Sequence, residues 1–212
     1  MTRALLLLLA VAVTACEPPR QSPSLTPDGA DPRAPDTFDV VFETSKGSFT
    51  IRAERALSPL GVDRFHRLAS IGYFDRTKFF RIIPDYIAQW GMHGDSGVNE
   101  AWTTRQFADE PVALPNTEGT VSFAKGAPNT RSTHLFINLK DNSRRLDAMG
   151  FSPIGRVTTG MDVVKSLHSG YGDGPPSGAG PEQRRIAREG NRYLERWFPR
   201  LDSIVRTRVV TP

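Results

Sequence analysis

From Phe38 the chain alternates apolar and polar positions. FDVVFET (38–44) and FTIRAE (49–54) both read with period two, and the SKGS between them carries Gly47, so the pattern predicts a β-hairpin. Pro59 then opens a stretch in which Val62, Phe65, Leu68, Ala69 and Tyr73 recur at steps of three and four, the spacing of one helical face. Short strand-like runs follow: KFFRII from Lys78, YIAQW from Tyr86, TVSFA from Thr120, HLFINL from His134 and FSPIGRV from Phe151. Gly, Pro, Asn and Asp punctuate the gaps. GMDVVKSLH sets Met161, Val164 and Leu167 or His168 on a second helical stripe. After the Gly- and Pro-rich residues 172–181, a helix seam is predicted through Ile186, Gly190, Tyr193, Leu194 and Trp197, and LDSIVRTRVV reads as a last strand. Many short strands with two interspersed helices predict a mainly-β domain, a closed antiparallel barrel capped by helices, over residues 37–170. Residues 171–212 are expected as a C-terminal helical extension packed on it.

Alternation also assigns faces, because side chains two apart in a strand point the same way. In HLFINL, Leu135, Ile137 and Leu139 read as core, which turns His134 and Phe136 to the opposite side. In FFRII, the same rule puts Arg81 with Phe79 and Ile83, a guanidinium among apolar neighbours.

Upstream of the barrel the pattern changes. Arg3 precedes an apolar run from Ala4 to Ala15, polar only at Thr14, which is too short for a bilayer-spanning helix of ~20 residues. A basic start, an apolar stretch and small residues at its end describe an export signal over residues 1–15. Val13-Thr14-Ala15-Cys16 resembles a bacterial lipobox, which makes Cys16 the expected lipidation site. It is the chain's single cysteine, with no partner for a disulfide. Six prolines between Glu17 and Asp36, with Leu25 the one large apolar residue, predict an extended tether over 16–36. At ~3.1 Å per residue, such a tether would reach ~60 Å. Among 212 residues the net charge is +4. Eight arginines between Arg184 and Arg208 alternate with acidic and apolar residues and show no interleaved aromatic stacking series, so they read as a solvated helical face and nucleic acid is not an expected partner.

FFRIIPDYIAQWG, GTVSFAKGAPNTRSTHLFINL, LDAMGFSPIGRV and GMDVV, in this order and spacing, resemble the cyclophilin family of prolyl isomerases over roughly Phe38 to His168. The resemblance implies an eight-stranded antiparallel barrel with two helices and no cofactor; His66, His93 and His168 show no metal-ligand spacing, so no metal is expected. It places the catalytic arginine at Arg81 and its orienting glutamine at Gln89. The proline pocket falls on Tyr86, Ile87, Phe136 and Leu146, and the alanine that binds substrate backbone on Ala124. Lys125 and His134 stand at further substrate-contacting positions, where the family has asparagine and glutamine. Arg145 replaces the pocket-rim tryptophan, and the histidine of the last pocket loop has no clear equivalent near Met149 to Phe151.

These residue types suit a reaction without covalent chemistry. Rotation about X–Pro faces ~18–20 kcal/mol because the C–N bond has partial double-bond character. At the twisted transition state the prolyl nitrogen regains a lone pair that an arginine can hydrogen-bond, a contact absent from the planar ground state. His134 is expected as a polar pocket-edge residue, since no proton is transferred. The expectation is a monomeric, exported isomerase of the bacterial cell envelope. It would be lipid-anchored to a membrane, face the periplasm or cell exterior, and act on proline-containing clients. The alternative is a proline-peptide binding module with little turnover.

Overall fold

The alternation in the first two strands closes into the hairpin it predicts. β1 (Thr37–Thr44) and β2 (Gly47–Glu54) pair antiparallel from Thr37 opposite Glu54 to Thr44 opposite Gly47. Gly47, at φ 127°, supplies the turn conformation that a side chain would resist. The inward set Phe38, Val40, Phe42, Phe49, Ile51 and Ala53 is fully buried. This computed structural model describes residues 24–210. The export signal expected over residues 1–15 and the expected lipidation site Cys16 lie outside the described residues.

Behind the hairpin come α1 (Pro59–Ser70), β3 (Arg81–Ile83), β4 (Ile87–Trp90), α2 (Ser96–Thr103), β5 (Thr120–Phe123), β6 (Leu135–Asn138), α3 (Ser143–Leu146), β7 (Pro153–Thr159), α4 (Met161–Lys165), α5 (Gln183–Glu189), α6 (Asn191–Trp197) and β8 (Ile204–Val210). The eight strands form one antiparallel sheet in the order β3-β4-β6-β5-β7-β2-β1-β8. Its concave side holds the core, where Val62, Phe65 and Leu68 of α1 meet Phe42, Phe49 and Trp90.

The sheet curls into a half-barrel and does not close, contrary to the closed barrel expected. β3 is only three residues long. Ahead of it the chain touches the far edge through an isolated bridge, Lys78 to Ser203, with the Phe79 N–H donating to the Asp202 carbonyl at 3.0 Å and the Ile204 N–H to Thr77 at 2.9 Å. No continuous ladder joins β3 to β8. The same break overturns one face assignment. Phe79 enters the core, whereas Phe80 joins the outer cluster, so Arg81 does not share the side of Phe79.

Six helices, rather than two, surround the described sheet. The expected capping helices correspond to α1 and α4. The seam predicted through Gly190 is split there into α5 and α6, because Gly190 sits at φ 58° with its Cα against the Gly94 carbonyl, where an added Cβ would lie 2.0 Å away. Ile186, Tyr193, Leu194 and Leu201 pack on Phe80 and Met92 outside the sheet, and the run after them is integral to it, since β8 pairs with β1 from Thr44 opposite Ile204 to Asp39 opposite Val210.

The described part of the expected tether lies on the domain. Arg64 and Arg67 of α1 are buried, and buried guanidinium groups need partners. Asp31 accepts from Arg64 Nε at 2.7 Å, and Asp28 pairs with Arg67. The Ala34 N–H donates to Asp63 at 2.9 Å, and the Leu25 carbonyl accepts from the Trp102 indole at 2.7 Å. Residues from Leu25 onward therefore add none of the reach expected of a free tether.

Candidate active site

Antiparallel pairing lines residues up across strands, and each cross-strand row faces one way. Ile82, Ala88, Ile137 and Val121 form one such row over β3, β4, β6 and β5, turned to the core. The neighbouring row is Arg81, Gln89, Phe136 and Ser122, turned to the convex side. One register therefore makes a dry inner face and a functional outer one. Ile87, two residues from Gln89, falls on the same outer face.

Phe136, Ile87, Leu146 and Phe151 make a second small apolar cluster, with Tyr86 and Ala124 packed against it. The Phe151 ring meets Phe136 edge-on at 5.6 Å, so an aromatic closes the loop where the family's histidine has no counterpart. The walls hang on a buried amide network. Asn142 Nδ2 donates to the Tyr86 carbonyl and to Asn138 Oδ1, both at 2.9 Å, while its own carbonyl accepts the Leu146 N–H at 2.9 Å. Asn116 Nδ2 reaches the Phe151 carbonyl at 2.7 Å.

These residues line a groove of about 600 Å³ that also takes in Arg81, Gln89, Lys125 and His134. All eight barrel-side residues singled out by sequence, together with Ala124, are thus brought to one place. Ala124 spends its N–H on the His134 carbonyl at 2.8 Å, so a bound peptide would meet its carbonyl. Lys125 is turned aside by Asp109, at 2.7 Å. Arg145, at the position where the resemblance expects a rim tryptophan, lies over the Tyr86 ring at 5.8 Å. His134 touches Phe80 edge-on at 5.9 Å, and burial pushes its imidazole down to about 4. It is neutral at physiological pH.

Arg81 is half-buried and held on two sides. Its Nη1 donates to Gln89 Oε1 at 3.1 Å, while Nε and Nη2 form a fork on Asp173, at 2.6 and 3.0 Å. The guanidinium holds the Asp173 carboxyl below the usual carboxylate range, with burial opposing the shift and the Gly174 N–H assisting it. Sequence reasoning missed Asp173, which sits in a glycine-rich stretch that reads as a spacer. It also missed Gln183 and Ala187 of α5, which wall the groove. Among the described residues, no group of three or more His, Cys, Asp or Glu side chains is placed to hold a metal.

A sequence model described as "Cyclophilin type peptidyl-prolyl cis-trans isomerase/CLD" matches residues 39–187. The chain belongs to this family. As a cyclophilin-type peptidyl-prolyl cis-trans isomerase, it is 35% identical to an isomerase of Arabidopsis thaliana over 149 residues, covering 69% of this chain and 86% of the relative. An isomerase of Acinetobacter baylyi is 29% identical over 134 residues, 60% of this chain and 70% of the relative. Among solved structures, a cyclophilin-type isomerase of Cryptosporidium parvum shares the fold, with a TM-score of 0.60 at 18% identity, covering 83% of this chain and 99% of its own.

Proposed function

We propose that this isomerase twists X–Pro bonds of exported polypeptides in the groove, with Arg81 stabilising the twisted amide, and that lipid on Cys16 holds it at the bacterial envelope facing away from the cytoplasm. The observation that carries the catalytic part is the state of Arg81. Of five guanidinium N–H groups, three are engaged by Gln89 and Asp173, which leaves one on each terminal nitrogen beside the apolar pocket. The proline ring would sit against Phe136, Ile87 and Leu146 while the preceding carbonyl swings. As the amide twists, a free N–H meets the new lone pair on nitrogen, and each ~1.4 kcal/mol gained there is tenfold in rate. The Cryptosporidium parvum relative has also been solved in the presence of an Ala-Pro dipeptide, which supports a proline-containing peptide as the ligand here.

A protease-coupled assay on a proline tetrapeptide tests the assignment. Arg81→Ala should fold normally and lose roughly 100-fold in kcat/KM, the scale of removing one transition-state donor; activity equal to wild type would overturn it. For the anchor, Cys16→Ser should abolish labelling of the expressed chain by a radioactive fatty acid, and undiminished labelling would refute the lipid.

A further inference from the structure

We propose that Asp173 is a positioning residue for the isomerisation, a fixed carboxylate that holds one edge of the Arg81 guanidinium so that the remaining N–H groups face the prolyl amide. This rests on the reading of Arg81 just given. Gln89 alone would fix one nitrogen through a single hydrogen bond and leave the plane of the guanidinium free to turn about it. The fork to Asp173, at 2.6 and 3.0 Å, defines that plane.

Two arrangements of a carboxylate beside such an arginine differ in consequence. One lying in the groove would occupy the substrate's place and act as a plug. Arg81, Gln89, Gln183 and Ala187 line the groove and Asp173 is not among the lining side chains; its carboxylate takes the Nε–Nη2 edge of the guanidinium, which leaves one N–H on each terminal nitrogen for the groove. The loop that carries it is also built to stay put. Its carbonyl accepts the Gly180 N–H at 2.8 Å, and its Oδ1 accepts the Gly174 N–H at 2.8 Å. Added Cβ atoms at Gly178 and Gly180 would lie 2.3 and 2.8 Å from the Asp173 carbonyl oxygen, so the backbone is folded tightly around this one residue. Next to it, the Tyr171 ring stands edge-on to Phe198 at 5.0 Å, which ties the loop to the outer apolar cluster. A rigid support behind the reacting group is the arrangement that positioning requires.

The test uses the full-length chain in detergent, with proline-peptide exchange followed by NMR so that slow rates remain readable. Asp173→Ala and Asp173→Asn should each lower kcat by about tenfold, the order expected when a reacting group loses its alignment. KM should stay within about twofold, because the pocket that binds the ring is untouched. Asp173→Asn keeps an oxygen for the Gly174 N–H, so it decides the matter if the alanine variant misfolds. In an Arg81→Ala background, adding Asp173→Asn should change nothing further. An unchanged kcat, a raised kcat as a released plug would give, or an equal loss in the Arg81→Ala background would each overturn the proposal. Arg81→Ala at wild-type activity would bring down the reading of Arg81 and this inference with it, whereas its failure alongside a fully active Asp173→Asn would sink this inference alone.

Discussion

Gln89 lies directly opposite Arg81 across the β3–β4 ladder and accepts its Nη1–H at 3.1 Å. The contact is fixed by strand register, because the next strand sets Phe136 opposite Gln89 on the other side. Arginine, glutamine and pocket floor therefore move as one row.

The first prediction follows from that row. Gln89 is buried, at 4% exposed, and its side-chain oxygen is the acceptor for Arg81 Nη1 on the groove wall. Gln89→Leu should keep the fold and lower kcat by about tenfold, since a hydrogen bond to a charged group is worth roughly 1.5–3 kcal/mol. Steady-state assays at varied peptide concentration check it. A rise in KM at constant kcat would mean that Gln89 binds peptide and does not orient Arg81.

A second prediction concerns Asn142, which ties Tyr86 to Leu146 through its side chain and its carbonyl. Asn142→Ala removes the donor to the Tyr86 carbonyl and to Asn138, in a setting only 7% exposed. The stability cost should be about 1–3 kcal/mol. Because both pocket walls loosen, KM should rise severalfold with kcat much less affected, which distinguishes this variant from those at Gln89. Denaturant titration and kinetics on the same preparation provide both readings.

Much of this arrangement was legible because period-two alternation is a local property. His134 and Phe136 did turn away from Leu135 and Ile137, and the motif Phe79 to Gly91 did carry the groove's arginine, glutamine and two walls. What alternation cannot register is a break in the strand itself. Between the bridge at Lys78 and the start of β3 the chain leaves the ladder, so Phe79 and Arg81 part company despite their spacing. Long-range pairing was equally hidden. Asp173 lies 92 residues from Arg81, and nothing in GYGDGPPSGAG marks its carboxylate as different from any loop aspartate. Asp28 and Asp31 fall in the stretch read as a tether, and no local pattern ties them to their partners Arg67 and Arg64, more than 30 residues away in α1.

The third prediction is a pH dependence of stability assigned to His134. In the folded chain its imidazole stays neutral down to about 4, whereas in the unfolded chain it takes a proton near its ordinary value of about 6.5. Between those values the unfolded state binds more protons, so stability falls as pH drops from about 6.5 to 4 and this contribution levels off below. The ring is half-buried at an open groove, so solvent reduces the cost to about 1–2 kcal/mol. His134→Gln should flatten that part of the curve. Thermal melts of both proteins at pH 7.5 and 4.5 test it, and parallel losses would place the effect elsewhere, as at His66 or His93, which burial also holds low.

The last prediction concerns where the folding unit begins. A chain started at Thr37 looks natural from sequence, because that is where the strand pattern starts. It would strip Asp31, 16% exposed, from Arg64, whose side chain is 7% exposed, which is the buried pair, and the surface-exposed Asp28 from Arg67. Removing one partner of a buried ion pair costs about 3–5 kcal/mol when the other charge has nowhere to go. Arg64 retains the carbonyls of Arg105 and Ser132, at 2.7 and 3.0 Å, which offsets part of that cost. A chain starting at Ser24 should therefore be more stable than one starting at Thr37 by about 2–4 kcal/mol. Asp31→Asn in the longer form should recover a substantial share of the difference by itself. Urea titrations of the three proteins check this. Equal midpoints for the two starting points would mean that the segment from Ser24 to Asp36 contributes no stability, while a large gap with a silent Asp31→Asn would move the effect to Asp28 or to the Leu25 carbonyl on Trp102.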